Sequence, residues 1–183
     1  NIACSVAFYQ TVLGYDKIIY EGRGQYDDWK HLCGGQYNFK RVLLGHTRKQ
    51  SGAFSKLLGP TYIELVEVTD KKPVKIYANR YWGDPGFIHV CFDITGMREH
   101  EQHCFDSGYP LTVNSHNSFD MGNAAGHFAY NEDPDGTLIE YVETHKVPVV
   151  KKLGLYLNLK KRKPEKPLPD WMVRCLSFSM IKK

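Results

Sequence analysis

The chain has no long hydrophobic run and no paired arrangement of cysteines. No run of about 18 apolar residues occurs, so we expect no membrane-spanning helix and no membrane partner. The five cysteines are widely spread and include no C-x-x-C pair. That spacing argues against a disulfide framework or a zinc ribbon and indicates free thiols in a reducing compartment. Because no signal peptide is recognisable at Asn1, we expect a cytoplasmic protein.

The net charge of +4 is unevenly distributed along the 183 residues. The segment from His145 onward carries eleven Lys and Arg residues and two acidic residues. The rest of the chain carries thirteen Lys and Arg residues and eighteen acidic residues. A basic tail can bind nucleic acid or an anionic membrane. No RNA-binding motif and no interleaved aromatic residues accompany it. We therefore interpret the Lys-Lys-Arg-Lys run at 160–163 as a solvated linker, which could lie on the acidic body, and expect no nucleic-acid partner.

Three short segments each place an ionisable side chain between apolar neighbours. Their β-branched and aromatic residues predict strands. Since successive side chains of a strand point to opposite faces, each ionisable residue points away from its apolar neighbours. A sheet covered by helices on the apolar face would then carry these oxygen and nitrogen donors on the other face, where they suit a divalent metal ion. The three residues are Glu64, His89 and Glu140.

The chain also contains an internal repeat. Residues 2–13 predict an amphipathic helix that ends before Gly14-Tyr15, and residues 97–107 predict another that ends before Gly108-Tyr109. Three strands are predicted after each helix, and repeats of this kind indicate duplicated modules. The predicted strands are 16–21, 39–45 and 61–68 in the first module, and 111–113, 127–131 and 137–143 in the second.

The two modules differ at their beginnings. The second reads β-α-β-β-β, because the strand that carries His89 precedes its helix, whereas the first reads α-β-β-β. His89 lies 19 residues before Gly108. The same distance back from Gly14 falls ahead of Asn1. We therefore expect the opening strand of the first module, with a ligand such as His or Gln, upstream of Asn1.

These features resemble the vicinal oxygen chelate superfamily, which includes glyoxalase I, bleomycin resistance proteins and extradiol dioxygenases. The resemblance extends from Asn1 to about Thr144, and the order of its motifs is more specific than any one of them. The Glu-Asp-Pro-Asp-Gly turn followed by Ile-Glu is the most distinctive stretch. The stretches that carry the resemblance are residues 5–9, 12–15, 63–65, 88–90, 132–136 and 139–140.

The resemblance implies an α+β fold of two paired βαβββ modules, whose eight strands curl around a metal site. It implies a glyoxalase-like domain over residues 1–144, with module one at 1–70 and module two at 86–144. Residues 145–183 form a basic C-terminal extension, for which we expect a short closing helix from Asp170. Superfamily members commonly dimerise, so the resemblance also implies a homodimer.

The resemblance places Glu64, His89 and Glu140 at three of the four metal-ligand positions and makes Glu140 the catalytic base. It implies a glyoxalase-I-like lyase or isomerase that acts on a small oxygenated substrate through a metal-stabilised enediolate. Glu140 would move a proton between adjacent carbons. The sequence leaves the ion open among Ni, Zn, Mn, Mg and Fe, and it leaves open a thiol co-substrate such as glutathione.

Two further residues are candidates for substrate contact. Asp93 shares the strand face of His89, and His127 would contact substrate if it points inward; the alternatives are a rim position for Asp93 and a structural role for His127. Two other functions compete with the enzyme: non-catalytic small-molecule binding of the bleomycin-resistance type, and ring cleavage by an iron dioxygenase. Glu64 adds a carboxylate that a site of two histidines and one carboxylate lacks, which favours the glyoxalase branch.

Overall fold

A computed structural model describes residues 1–75, 78–81, 83–116, 119–120, 125–150 and 153–176. The chain forms two compact units. The first contains residues 1–49, 60–88 and 132–137, and the second contains residues 50–59, 89–131 and 138–183. In the described part of the chain, no helix is both long enough and apolar enough to cross a bilayer.

Among its described residues, the first unit contains one α-helix, a short 3₁₀ helix (Asp27–Trp29) and an antiparallel sheet with the strand order β1-β2-β3. The helix begins where the Asn1 side chain accepts hydrogen bonds from the backbone N–H groups of Ala3 and Cys4, at 3.0 and 3.4 Å. It ends at Gly14, whose φ of 69° is accessible to glycine without strain. The elements are α1 (Ile2–Leu13), β1 (Lys17–Gly24), β2 (Phe39–Gly45) and β3 (Ile63–Val68).

The turn at residues 132–137 is tied to α1 through Asp133. This buried carboxylate accepts a hydrogen bond from the Tyr9 hydroxyl at 3.0 Å and from the backbone N–H groups of Asp135 and Thr137 at 3.0 and 2.8 Å. Ser5 donates to the Asp135 carboxylate at 2.9 Å. The most distinctive motif of the sequence therefore has a structural role, because it connects the turn to the helix.

In the part of the second unit that the structure describes, there are two helices and a six-stranded sheet. Its main strand order is β4-β8-β7-β5, while β6 pairs with β7 and β9 pairs with β8. Strands β4 and β8 are parallel, with Cys91 opposite Glu140. The elements are β4 (His89–Asp93), α2 (Met97–Asp106), β5 (Val113–Asn114), β6 (Phe119–Asp120), β7 (Ala125–Glu132), β8 (Leu138–Val150), β9 (Leu155–Asn158) and α3 (Asp170–Leu176).

The predicted α+β class and the predicted order of helices and strands are confirmed. The strands belong to two sheets of three and six strands. Two-residue strand β6 was not predicted. Strand β8 continues past Thr144 to Val150, and β9 of the C-terminal extension pairs with it, Lys146 lying opposite Asn158. The extension therefore adds a strand to the sheet, and its closing helix begins at Asp170 as predicted.

His100 is held in a neutral form by its surroundings on α2. Its ring lies 4.2 Å from the ring of Tyr141, and its Nε2 lies 3.4 Å from the Cys104 sulfur. Loss of solvent, and secondarily the neighbouring His103, lower the pKa of His100 from 6.5 to about 4. The folded chain therefore resists protonation at a pH where the unfolded chain accepts a proton.

We expect the free energy of unfolding to decrease as the pH falls from about 6.5 towards 4, because the unfolded state binds a proton at His100 in that window and the folded state does not. Urea unfolding at several pH values measures this slope. His100→Gln should reduce the slope, whereas His31→Gln, at an exposed position of the first unit, should retain it. An unchanged slope in His100→Gln would show that other groups cause the acid sensitivity.

Candidate functional site

Glu140 lies at the centre of a polar cluster on the sheet of the second unit. The parallel pairing of β4 and β8 places His89 and Glu140 on one face, with 3.0 Å between His89 Nε2 and Glu140 Oε2. The Tyr130 hydroxyl, from β7, donates a hydrogen bond to Glu140 Oε1 at 2.5 Å. Ile139 and Tyr141, on the opposite face of β8, are fully buried. Both carboxylate oxygens of Glu140 are thus in polar contact.

Two neutral donors surround the Glu140 carboxylate. Cys91 lies opposite Glu140 in the strand register, and its thiol hydrogen-bonds to the carboxylate. Although Cys91 retains an exposed surface, displacement of water around the sulfur and the bond to Glu140 raise the pKa of the thiol to about 12. Burial and the same carboxylate raise the pKa of Tyr130 above its usual value. Both groups therefore stay protonated near neutral pH and remain donors to Glu140.

Glu64 lies on β3 of the first unit and forms an ion pair with Arg41 of β2. Arg41 Nε lies 2.6 Å from Glu64 Oε1. The guanidinium carbon also lies 4.1 Å from the ring centre of Trp29 and 4.4 Å from that of Tyr26, within the range of cation–π attraction. The carboxylate predicted as a metal ligand is therefore paired with Arg41, which no sequence motif indicated.

His127 is buried on the side of β7 away from Tyr130. It is 8% exposed, alternates along the strand with Tyr130, and shares its face with the fully buried Ala129 and Asn131. Its Nε2 lies 2.6 Å from Asn114 Oδ1, and loss of solvent lowers its pKa. The structure therefore does not bring His127 to the side of β7 from which Tyr130 reaches Glu140.

Asp93 lies at the end of β4, four residues beyond His89. Its carboxylate accepts a hydrogen bond from the Thr144 side chain. Displacement of water raises the pKa of Asp93 to about 6, and that hydrogen bond opposes the rise. Asp93 lines a pocket together with Glu143 and His145. The structure therefore associates Asp93 with a second polar region of the same unit.

The donor atoms of His89 and Glu140 fit a divalent ion. Two ligands of one ion, each bound at about 2.0–2.2 Å, have donor atoms roughly 3 Å apart. The observed separation is 3.0 Å between one nitrogen and one carboxylate oxygen, a donor pair used by several divalent metals. Over the described residues, no group of three or more His, Cys, Asp or Glu side chains is arranged to hold a metal ion. His89 and Glu140 are thus suited to be two members of a ligand set.

The fold is similar to that of solved glyoxalase family proteins. One from Enterococcus faecalis matches with a TM-score of 0.52 and 17% identity, over 78% of this chain and 89% of that one. One from Bacillus cereus matches with a TM-score of 0.50 and 15% identity, over 73% of this chain and 82% of that one. No family model and no curated protein matches the sequence. The chain therefore has the fold of these glyoxalase family proteins, and the fold that the resemblance implied is confirmed to that extent.

Proposed function

We propose that the chain is a metal-dependent enzyme of the glyoxalase I type, a lyase or isomerase that moves a proton between adjacent carbons of a small oxygenated substrate. The observation that supports this proposal is the arrangement of polar groups around Glu140. One of its oxygens accepts a hydrogen bond from Tyr130, and the other lies 3.0 Å from His89. A carboxylate fixed in this way is oriented for proton transfer.

His89 and Glu140 would hold the ion, and Glu64 remains a predicted further ligand. The candidate ions are Ni, Zn, Mn, Mg and Fe. When bound, a divalent ion supplies a Lewis acid that polarises a carbonyl oxygen of the substrate and stabilises the negative charge that develops on it. A thiol such as glutathione is the proposed co-substrate, because its adduct with a 2-oxoaldehyde has an oxygen on each of two adjacent carbons.

Glu140 would act as the base. It takes a proton from one carbon and returns a proton to the neighbouring carbon, so that the reaction consumes no acid or base overall. Each carboxylate oxygen has two acceptor positions, so the bond from Tyr130 does not remove the capacity of Glu140 to accept a proton. Tyr130 would act as a positioning residue, since its neutral hydroxyl holds the carboxylate by a short charge-assisted hydrogen bond.

The proposal is tested by metal analysis and turnover assays on the full chain. The metal-free protein is supplied in turn with Ni, Zn, Mn, Mg and Fe and assayed on the glutathione adduct of methylglyoxal. We expect turnover to return with at least one divalent ion and to disappear with a chelator. Tight metal binding without turnover under any of these conditions would contradict the enzymatic proposal.

Tyr130→Phe is expected to reduce turnover by roughly tenfold or more, since a hydrogen bond to a charged group is worth about 1.5–3 kcal/mol. Tyr81→Phe, at a position that is 84% exposed, is the matched control. Unchanged turnover of Tyr130→Phe would show that Tyr130 does not position Glu140.

One observation favours the alternative, a non-catalytic small-molecule binding protein. Glu64, a predicted metal ligand, is already paired with Arg41. Trp29 and Tyr26 add aromatic surface around the guanidinium. Such a surface suits a flat or charged small molecule. Tight binding of an aromatic or cationic drug, without turnover in the assay above, would replace the enzymatic proposal. Iron-dependent oxygen consumption on a catechol would instead indicate a dioxygenase.

We also propose that the protein acts as a cytoplasmic homodimer. Trp171 of α3 is 61% exposed within the chain, and burial of such a residue favours association. The cysteines are free, and Cys4, Cys33 and Cys91 are exposed, which suits a reducing compartment. Sedimentation at micromolar concentration tests the dimer, and a monomer in that range would exclude it.

A further inference from the structure

A pocket of about 210 Å³ in the second unit is lined in part by the basic C-terminal extension. Its other lining residues are at positions 53 and 54, at the end of β4, in the three residues that follow β4, and in β8. Its volume is below the roughly 300–1,000 Å³ of pockets that hold drug-sized ligands. The pocket is therefore suited to a compact group. Its ionisable side chains, apart from His145, are Asp93, Glu143, Lys160, Arg162, Lys163 and Lys166.

The basic segment that lines the pocket is anchored at both ends. At its start, the backbone N–H of Leu159 donates to the carbonyl of His145 at 2.8 Å. At its end, the backbone N–H of Leu168 donates to the carbonyl of Ala53 at 2.9 Å, and the Leu168 side chain is fully buried. The run at 160–163, predicted to be a solvated linker, is therefore held against the folded unit with three of its four cations lining a pocket.

The two acidic residues of the pocket are already engaged. Glu143 accepts a hydrogen bond from the backbone N–H of Gly96 at 2.6 Å and lies 3.0 Å from His145 Nε2. Burial alone would raise the pKa of Glu143, but these contacts lower it. Asp93 is hydrogen-bonded by Thr144, and displacement of water raises its pKa to about 6. Neither carboxylate is used to neutralise the lysines and the arginine of the pocket.

The lysines and the arginine of the pocket have no ion-pair partner among the described residues. Among the described residues, no carboxylate lies within 4.0 Å of the charged nitrogens of Lys160, Arg162, Lys163 or Lys166. Arg162 donates from Nη2 to the carbonyl of Pro167 at 3.3 Å, which fixes its guanidinium. Its Nε is buried and has no hydrogen-bond partner in the described part of the chain. A buried donor without an acceptor is unfavourable, so an acceptor supplied by a bound anion would stabilise it.

We propose that this pocket binds a compact oxyanion, a phosphate or the phosphoryl group of a small phosphomonoester, with Arg162 as its main contact. Four cations against two engaged carboxylates match the charge of a dianion. The fork of guanidinium N–H groups matches the geometry of phosphate oxygens, and lysines add charge around them. The pocket is independent of the proposed enzymatic function, since neither His89 nor Glu140 lines it.

Two measurements on the full chain test this site. Calorimetric titration with inorganic phosphate measures binding, and thermal unfolding with and without phosphate measures stabilisation. We expect saturable binding and a rise in Tm that potassium chloride at equal ionic strength does not reproduce. Arg162→Gln and Lys163→Gln should each weaken binding by roughly tenfold or more. Lys161→Gln is the matched control, because it removes the same charge from the same run at an exposed position that does not line the pocket. Asp93→Asn should tighten binding, since it removes a negative charge.

Three outcomes would overturn the proposal. The first is an absence of saturable binding. The second is an equal loss of affinity in Lys161→Gln and Lys163→Gln, which would indicate a diffuse effect of positive charge. The third would be seen in a binding assay with phosphatidylcholine vesicles, prepared with and without phosphatidic acid. Binding to the acidic vesicles without any response to inorganic phosphate would indicate a membrane surface, whereas binding of soluble glycerol 3-phosphate and not of vesicles supports the pocket.

Discussion

Replacing Glu140 by glutamine is expected to abolish proton transfer while leaving the fold intact. Glutamine keeps the size of the side chain and an oxygen that accepts the hydrogen bond from Tyr130, but it cannot accept a proton near neutral pH. Loss of a general base reduces turnover by roughly 10²–10⁴-fold. Initial rates on the glutathione adduct of methylglyoxal, measured with saturating metal, give the size of the loss.

Glu132→Gln is the matched control for this variant, because it makes the same chemical change at an exposed position of β7. It should retain turnover, and both variants should unfold at the temperature of the unmodified protein. If Glu140→Gln retains full turnover with metal bound, Glu140 is a metal ligand and not the base. The base would then have to be sought among other residues.

His89→Ala is expected to lose metal affinity before any other property. His89 supplies the nitrogen that lies 3.0 Å from the Glu140 carboxylate, and alanine removes it without replacement. Loss of residues that merely orient ligands costs about 10–100-fold in affinity, so loss of a ligand should cost at least roughly 100-fold. Competition with a coloured chelator measures the change. Glu140→Gln, which retains an oxygen, should lose less affinity.

His103→Ala is the control for the loss of a histidine, since His103 is exposed on α2. It should bind metal as tightly as the unmodified protein. If His89→Ala also binds with unchanged affinity, the ion lies elsewhere and the assignment of His89 fails. Comparing His89→Ala with Glu140→Gln separates metal binding from chemistry, because each variant removes a different property of the same cluster.

The helices and longer strands could be predicted from the sequence because their signals are local. Helix α1 occupies residues 2–13 as predicted, since an asparagine cap and a glycine stop define its ends. Strand β2 occupies residues 39–45 as predicted. Alternation along the predicted strand 137–143 also placed Glu140 opposite the buried Ile139 and Tyr141. Local rules describe such features well, because each depends on neighbours within a few positions.

The contacts of the candidate residues could not be predicted, because they depend on strand register. Alternation shows which side of β3 Glu64 occupies but not that Arg41 of the next strand meets its carboxylate. Alternation along β7 separates His127 from Tyr130 without showing which of them faces Glu140. The distinction depends on Asn114, 13 residues away in sequence, which contacts the buried histidine. Tyr130 was therefore overlooked as a neighbour of Glu140.

The length of β8 has a practical consequence for anyone who shortens this chain. A fragment that stops at Thr144, where the resemblance ends, keeps the pairing with β4, which extends to Val142. It also divides a strand of thirteen residues and removes β9 from its edge. Edges newly exposed in this way promote aggregation. Fragments prepared for crystallisation or assay should therefore extend at least through Asn158, so that the strand carrying Glu140 keeps β9 in addition to β4 and β7.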